Sequence, residues 1–273
     1  MNNATPLRAV QLATTKIIAE IEAGIGWLRI NQPERRNAIS LEMWQGLADA
    51  CTAFEADDTV RVVVIHGVGG RSFAAGADIS EFEQQRADAQ QKQRYGEVAE
   101  RAHDGMARLT QPLIAMIQGY CVGGGLGVAL HADVRIAAED ARFAIPAARL
   151  GLGYDYPGLA TLARLVGPSV AKDVLFSARQ LDATEALRIG LVNAVHPAGE
   201  LEDRVREYAA TIAGNAPLTI RAAKAAMRVF ERYADCDEAA AVEQLVDRCF
   251  DSDDYREGRR AFMEKRAPQF KGR

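Results

Sequence analysis

Two runs of small residues are the parts of this chain best suited to chemistry on a developing negative charge. Residues 67–79 read Gly-Val-Gly-Gly-Arg-Ser-Phe-Ala-Ala-Gly-Ala-Asp-Ile and directly follow an apolar run that ends at His66. The small side chains from Ala74 to Ala77 let a ligand approach the main chain closely, although a plain glycine-rich turn has the same composition. Residues 117–127, Ile-Gln-Gly-Tyr-Cys-Val-Gly-Gly-Gly-Leu-Gly, set three consecutive glycines after a second apolar run. A helix can open there and leave backbone N–H groups unpaired, and such groups suit an oxygen that becomes anionic. Two turns of this kind in one chain allow a reaction in which that oxygen sits between N–H donors from separate segments. Spacing alone does not bring the two turns together.

The elements that must position these turns are legible in outline. Residues 16–30 hold two apolar or β-branched runs broken by Gly24 and Gly26, which predicts a hairpin. Leu41, Trp44, Leu47, Ala48, Cys51 and Phe54 recur at intervals of three and four after Ser40, predicting an amphipathic helix over Leu41–Glu55 with Ser40 as its N-cap. Buried strands are expected at residues 60–66, 113–118 and 134–138, each a short run rich in apolar residues. Strands alternating with helices indicate an α/β layout. Beyond about Pro157 the pattern turns helical, in segments near 158–166, 169–177, 183–189, 200–213, 218–234 and 238–250. The polar stretch 83–101 is the least core-like interior segment and is expected as a mobile helix or loop. The whole reads as one αβ domain followed by a helical C-terminal part, with no linker-like tract between them and no internal repeat.

Composition narrows the function classes. The 273 residues are 48% hydrophobic and 26% charged, a soluble-globular balance with no apolar run of about 18 residues. The first fifteen residues lack the basic start and apolar stretch of a secretory signal, so a cytoplasmic location is expected. A net charge of −4 offers no basic field for nucleic acid. Cys51, Cys121, Cys236 and Cys249 are widely separated and form no zinc-ligand spacing. The triple glycine lies mid-chain and out of register for a dinucleotide fingerprint. There is no GxSxG for a serine hydrolase and no GK[ST] for phosphoryl transfer, and His66, His103, His131 and His196 have no recognisable partner.

Taken together, several segments resemble the crotonase (enoyl-CoA hydratase/isomerase) family along nearly the whole chain. They are Asn31-Gln-Pro-Glu-Arg-Arg-Asn-Ala, Phe73-Ala-Ala-Gly-Ala-Asp-Ile79, Gly119-Tyr-Cys-Val-Gly-Gly-Gly125, Leu162-Ala-Arg-Leu-Val-Gly167, Gly190-Leu-Val-Asn193 and Glu257-Gly-Arg-Arg-Ala-Phe-Met-Glu-Lys-Arg266. The resemblance implies an α/β fold, a spiral of ββα turns over residues 1–200 that carries the acyl-CoA site. A helical trimerisation region is implied over 201–273, with the homo-oligomer a trimer or a dimer of trimers. It also implies that the N–H groups of Ala77 and Gly124 form the oxyanion hole, with Ala75, Asp78 and Ile79 on the substrate side of that stretch. Asp78 is expected to brace the turn rather than to react. Arg35 and Arg36 match basic positions near the CoA phosphates, although solvated surface would suit either. Lys265 resembles a lysine that reaches the CoA of a neighbouring subunit.

The sequence departs from the hydratases it resembles. Where those enzymes carry two glutamates, one after the triple glycine and one after a proline in the next segment, this chain has Gly127 and Ala147. Neither can move a proton. Asp155, in Gly151-Leu-Gly-Tyr-Asp-Tyr-Pro-Gly158, resembles in position the catalytic aspartate of the family's dienoyl-CoA isomerases and of its 4-chlorobenzoyl-CoA dehalogenases. Ala147 stands where the dehalogenases place a catalytic tryptophan, so proton transfer is the better fit, and a turn-forming aspartate is the plain alternative. Tyr154 and Tyr156 can donate a hydrogen bond or line an apolar pocket. The expected reaction is therefore double-bond isomerisation or related proton transfer, with hydration through Asp155 and a bound water second. Decarboxylation or carbon–carbon cleavage of an acyl-CoA, and acyl-CoA binding without turnover, stay open. No cofactor or metal is expected beyond the CoA that arrives with the substrate.

Overall fold

The computed structural model describes residues 7–78, 89–153, 156–215, 217–231, 251–266 and 268. The N-terminal hairpin pairs β2 (Ile17–Glu22) with β3 (Ile25–Ile30), and Ala23 and Gly24 at its turn both take left-handed φ, 50° and 82°. That turn geometry matches the twist of the strands it joins. A short edge strand β1 (Arg8–Val10) adds to β2. Helix α1 (Leu41–Glu55) starts where the sequence predicts, with the Ser40 hydroxyl accepting from the Met43 N–H at 3.3 Å.

The next part repeats one arrangement. β4 (Val62–Gly67), β6 (Leu113–Ile117) and β8 (Val134–Ala138) extend a seven-stranded sheet from β3, and β11 (Ala194–His196) closes its far side, with β3 onward all parallel. Each of the first three is followed by a three-residue strand in a second sheet: β5 (Ser72–Ala74), β7 (Tyr120–Val122) and β9 (Arg142–Ala144). Those three run parallel, and β10 (Leu181–Asp182) joins β9 antiparallel. A helix follows each pair: α2 (Ala89–Arg108), α3 (Gly124–Leu130) and α4 (Ala147–Leu150). Three-residue strands are too short to show an alternating pattern, so the second sheet was not foreseeable from periodicity.

Alternation along the large sheet divides its side chains between two cores. Val63, Ile65, Leu113, Ala115, Ile117 and Ala137 face the main core with α1, α2 and the small sheet, whereas Trp27, Val62, Val64, Ile114, Met116 and Ile136 face the other way. The second face is covered by helix α8 (Leu201–Gly214) through Leu201, Val205 and Ala209, one residue per turn. This helix lies beyond residue 200, so the sequence-expected boundary falls at the start of an element that packs on the sheet.

The polar stretch resolves, where described, into the first part of α2. Tyr95, Ala102 and Met106 share its buried face at helical spacing. The later helices are α5 (Tyr156–Val166), α6 (Pro168–Ser177), α7 (Ala183–Arg188), α9 (Pro217–Glu231) and α10 (Asp253–Met263). The segment expected at 238–250 lies outside the described residues.

Candidate active site

The first donor turn is built by a buried asparagine. Asn37, fully enclosed with φ 56°, accepts from the Gln32 N–H through Oδ1 and donates through Nδ2 to the carbonyls of Val68 and Ser72 at 3.0 and 2.7 Å. It thereby fixes the Pro33–Arg36 turn against both ends of the β4–β5 connection. The Arg36 carbonyl then accepts from the Ala75 N–H at 3.0 Å. Ile39 brackets Ala77 from both sides, donating to the Gly76 carbonyl at 2.7 Å and accepting from the Asp78 N–H at 3.0 Å. The Ala77 N–H between them has no acceptor among the described residues.

The second donor turn follows β7. Gly123 takes φ 54° as it enters α3, a conformation that strains any residue with a Cβ. Gly125 packs so closely under β5 that a Cβ would lie 2.1 Å from the Ala74 carbonyl oxygen. Between them Gly124 opens α3, where no carbonyl lies four residues back within the helix to receive its N–H. The point where a Gly124 Cβ would stand is 3.6 Å from the Ala77 nitrogen. The fold therefore brings Ala77 and Gly124 together, as the sequence could not.

The flanking residues divide into two places. Arg35 pairs with Asp78 at 2.8 Å, and the Asp78 side chain is only 8% exposed against 54% for Arg35. Asp78 thus ties the donor turn to the Pro33–Arg36 turn. Arg36 points elsewhere: its guanidinium lies 5.4 Å from the centroid of the Tyr120 ring. There, at the starts of β5, β7 and β9, Arg36, Arg71, Tyr120, Asp140 and Arg142 line a cavity of about 450 Å³. The donor turns lie at the opposite ends of the same strands, about 10 Å away at about 3.3 Å per residue.

The two positions that carry glutamate in the hydratases are placed but chemically empty. Gly127 lies in α3, donating to the Gly123 carbonyl at 3.0 Å, and Ala147 is the buried first residue of α4. Asp155, Tyr154 and Ile79 lie outside the described residues. The turn that leads toward Asp155 is held by the C-terminal helix of the same chain. A Cβ on Gly258 of α10 would stand 2.2 Å from the Leu150 carbonyl oxygen, and one on Gly151 would stand 2.7 Å from that of Asp254. Lys265 follows α10 and is exposed.

The histidines take no direct part in these turns. His66 stands edge-on to Trp27, and His103 stacks on His131. Burial pushes the pKa of His66 and His131 down to about 4 and that of His103 to about 3, so all three are neutral at pH 7. Cys51 and Cys121 are buried free thiols, and burial pushes the Cys51 thiol up to about 12. Among the described residues no cluster of histidine, cysteine or carboxylate side chains could hold a metal ion. Sequence reasoning missed Asn37, Trp44 and Tyr95 as site-building residues. Asn37 had a visible signal, being a polar residue directly after a Pro-Glu-Arg-Arg turn, whereas Trp44 read only as core and Tyr95 fell in the stretch read as least core-like.

Comparison with known proteins agrees with this fold. The enoyl-CoA hydratase/isomerase family model matches residues 20–273. A crotonyl-CoA hydratase of Syntrophomonas wolfei is 36% identical over 260 residues, covering 95% of this chain and 99% of that protein. The structure of an enoyl-CoA hydratase/carnitine racemase from Magnetospirillum magneticum superposes with a TM-score of 0.79 at 37% identity, over 96% of this chain and 97% of that one. A methylmalonyl-CoA decarboxylase in complex with 2-nitronate-propionyl-CoA superposes with a TM-score of 0.87 at 27% identity, over 96% and 100%. The chain belongs to the enoyl-CoA hydratase/isomerase, or crotonase, family.

Proposed function

We propose that this enzyme forms the enolate of an acyl-CoA thioester, with the oxygen held by the Ala77 and Gly124 N–H groups, and that Asp155 moves the proton. The observation that carries the reading is the approach of two backbone N–H groups from separate turns, Ala77 with no acceptor among the described residues and Gly124 at the first position of a helix, next to helices whose Gly127 and Ala147 offer no carboxylate. Polarising the thioester carbonyl makes its α-carbon acidic, and each donor of such a hole is worth about 10²–10³ in rate. In double-bond isomerisation one carboxylate suffices. It removes a proton from one carbon of the enoyl chain, the resulting dienolate places its charge on the oxygen in the hole, and the same carboxyl returns the proton at the other end. Ala75, Ile79 and Tyr154 would line the path of the thioester.

The cavity with Arg36, Arg71 and Arg142 supplies positive charge for the CoA phosphates, and the pantetheine arm is long enough to join it to the hole. Lys265 would add a further cation in an oligomer. A trimer or dimer of trimers would cover apolar side chains exposed in the single chain, among them Phe176 at 77% and Met263 at 64%.

Hydration is the second reading, favoured by the 36% identity to a crotonyl-CoA hydratase. It would require Asp155 to act through a bound water, because the two-carboxylate route has no residues here. Decarboxylation would use the hole alone, with carbon dioxide leaving as the enolate forms.

Mass spectrometry of enoyl-, dienoyl- and carboxyacyl-CoA thioesters in D₂O distinguishes these reactions. Isomerisation leaves the formula unchanged but for deuterium exchanged through the carboxyl group, hydration adds one D₂O, and decarboxylation loses carbon dioxide and gains one deuterium. Asp155→Asn is expected to lower exchange at least about 10²-fold, the range of general acid–base contributions. Exchange that survives Asp155→Asn unchanged would remove Asp155 from the mechanism. Binding of every thioester with no exchange and no turnover would reduce the protein to acyl-CoA binding.

A further inference from the structure

Behind the two donors lies a set of aromatic side chains that proton transfer leaves unused. Trp44, from α1, is 3% exposed, and its Cζ2 lies 3.8 Å from where a Cβ on Gly124 would stand. Its indole N–H donates to the Tyr95 hydroxyl at 2.7 Å, and that hydroxyl donates to the Ile39 carbonyl at 3.4 Å. Ile39 is the residue that brackets Ala77 through Gly76 and Asp78. One chain of contacts therefore runs from the back of one donor to the peptides flanking the other. Next to the indole, the His103 ring stands 4.8 Å away between centroids and the His131 ring a further 4.6 Å. His131 is the C-cap of α3, the helix that Gly124 opens. The same stack thus holds α3 at both ends.

We infer that Trp44 and Tyr95 are positioning residues of the oxyanion hole, setting the separation of the Ala77 and Gly124 N–H groups. This rests on the reading of those groups as donors to a thioester oxygen. The two turns come from different sheet strands, and a hole of this type works only when its donors are already placed for the oxygen's final position. With Trp44 and Tyr95 enclosed at 3% and 2% exposure, water cannot readily replace the missing link when one polar atom is removed. The donors would then relax apart, and the carbonyl would be less polarised while the CoA contacts stayed intact. A pair that serves only as packing would instead change stability and leave the carbonyl untouched.

The test is the thioester C=O stretch of bound crotonyl-CoA in difference infrared spectra. It is read with kcat, KM and Tm for wild type, Tyr95→Phe, Trp44→Phe and the double variant. Wild type should move the stretch below its value in free crotonyl-CoA. Each single variant should reverse part of that displacement and lower kcat about 10- to 100-fold, the scale of small misplacements in a preorganised site, with KM little changed. The double variant should be no worse than the weaker single, because both cut one connection. Tyr95→Phe removes a single oxygen and keeps its ring, so it tests the link even where Trp44→Phe fails to fold. A folded Tyr95→Phe with the wild-type stretch and kcat overturns the positioning role, as do losses that multiply in the double variant while Tm falls in parallel. Wild-type protein that binds crotonyl-CoA without displacing its stretch overturns the donor reading itself, a result distinct from a displacement that survives the substitutions.

Discussion

At the scale of single residues, the site depends on atoms whose value comes from where they are enclosed. Asn37 makes three hydrogen bonds with backbone groups, two of them buried, and its left-handed φ of 56° suits an asparagine better than a branched residue. Asn37→Ala should leave those backbone groups without partners, at about 1–3 kcal/mol each for a buried group. A fall in denaturation midpoint with a comparable loss of turnover is expected. Unchanged stability would show that water enters the turn. The motif around Asn37 was quotable from sequence, yet its part in holding Val68 and Ser72 was not, since those partners lie on the far side of a strand. Gly127 and Ala147 teach the converse. Their lack of a carboxylate was fully readable, because absence of a proton-transfer group needs no coordinates.

At the scale of elements, helix α10 and the turn at Leu150–Gly151 form one unit. Gly258 lets the helix backbone lie directly against the Leu150 carbonyl, and the Tyr255 nitrogen would stand 2.9 Å from a Cβ on Gly151. Gly258→Val should force the two apart, with about 1–3 kcal/mol lost to overpacking. Hydrogen exchange at residues 147–153 should rise in this variant while that of α1 stays slow, because α1 packs chiefly on α2, β2 and β3. Equal protection in both would mean that the turn is held by other contacts. The sequence resemblance directed attention from Lys265 toward a neighbouring subunit, and the helix that carries the chain to Lys265 sits on its own subunit's turn. The helical segments read from periodicity end at residue 250, so this helix was anticipated only as part of the helical region that the resemblance implied over 201–273. Its seat was not, because two glycines announce close packing only when their partners are known.

At the scale of the whole molecule, burial of imidazole links stability to pH. The pKa values of His66, His103 and His131 fall from about 6.5 in the unfolded chain to about 4, 3 and 4. The unfolded state therefore binds more protons between those limits, so the stability contributed by these neutral rings is complete above about pH 6.5 and is lost as pH falls toward 4. Tm should fall steadily when the pH is lowered from 7.5 to 4.5 in scans at constant ionic strength. His131→Gln, which removes one titrating ring from the stack, should flatten that slope. A slope identical to wild type would place the titration of His131 outside this linkage.

The sequence by itself determined the elements with a strong local signal. The α1 pattern, the hairpin and the apolar strands follow from side-chain periodicity, and the glycine turns follow from backbone permissiveness. It also determined, through several separated motifs read together, the family and the missing glutamates. Tertiary structure alone decided what meets what. The small sheet is made of strands of two or three residues that gain their identity only from pairing. Arg35 and Arg36, adjacent in sequence, separate to Asp78 and Tyr120 because Arg36 takes a left-handed φ of 54°. Ala77 and Gly124 become neighbours because successive ββα turns stack their second strands side by side. Such contacts are non-local, and no window of sequence contains both partners.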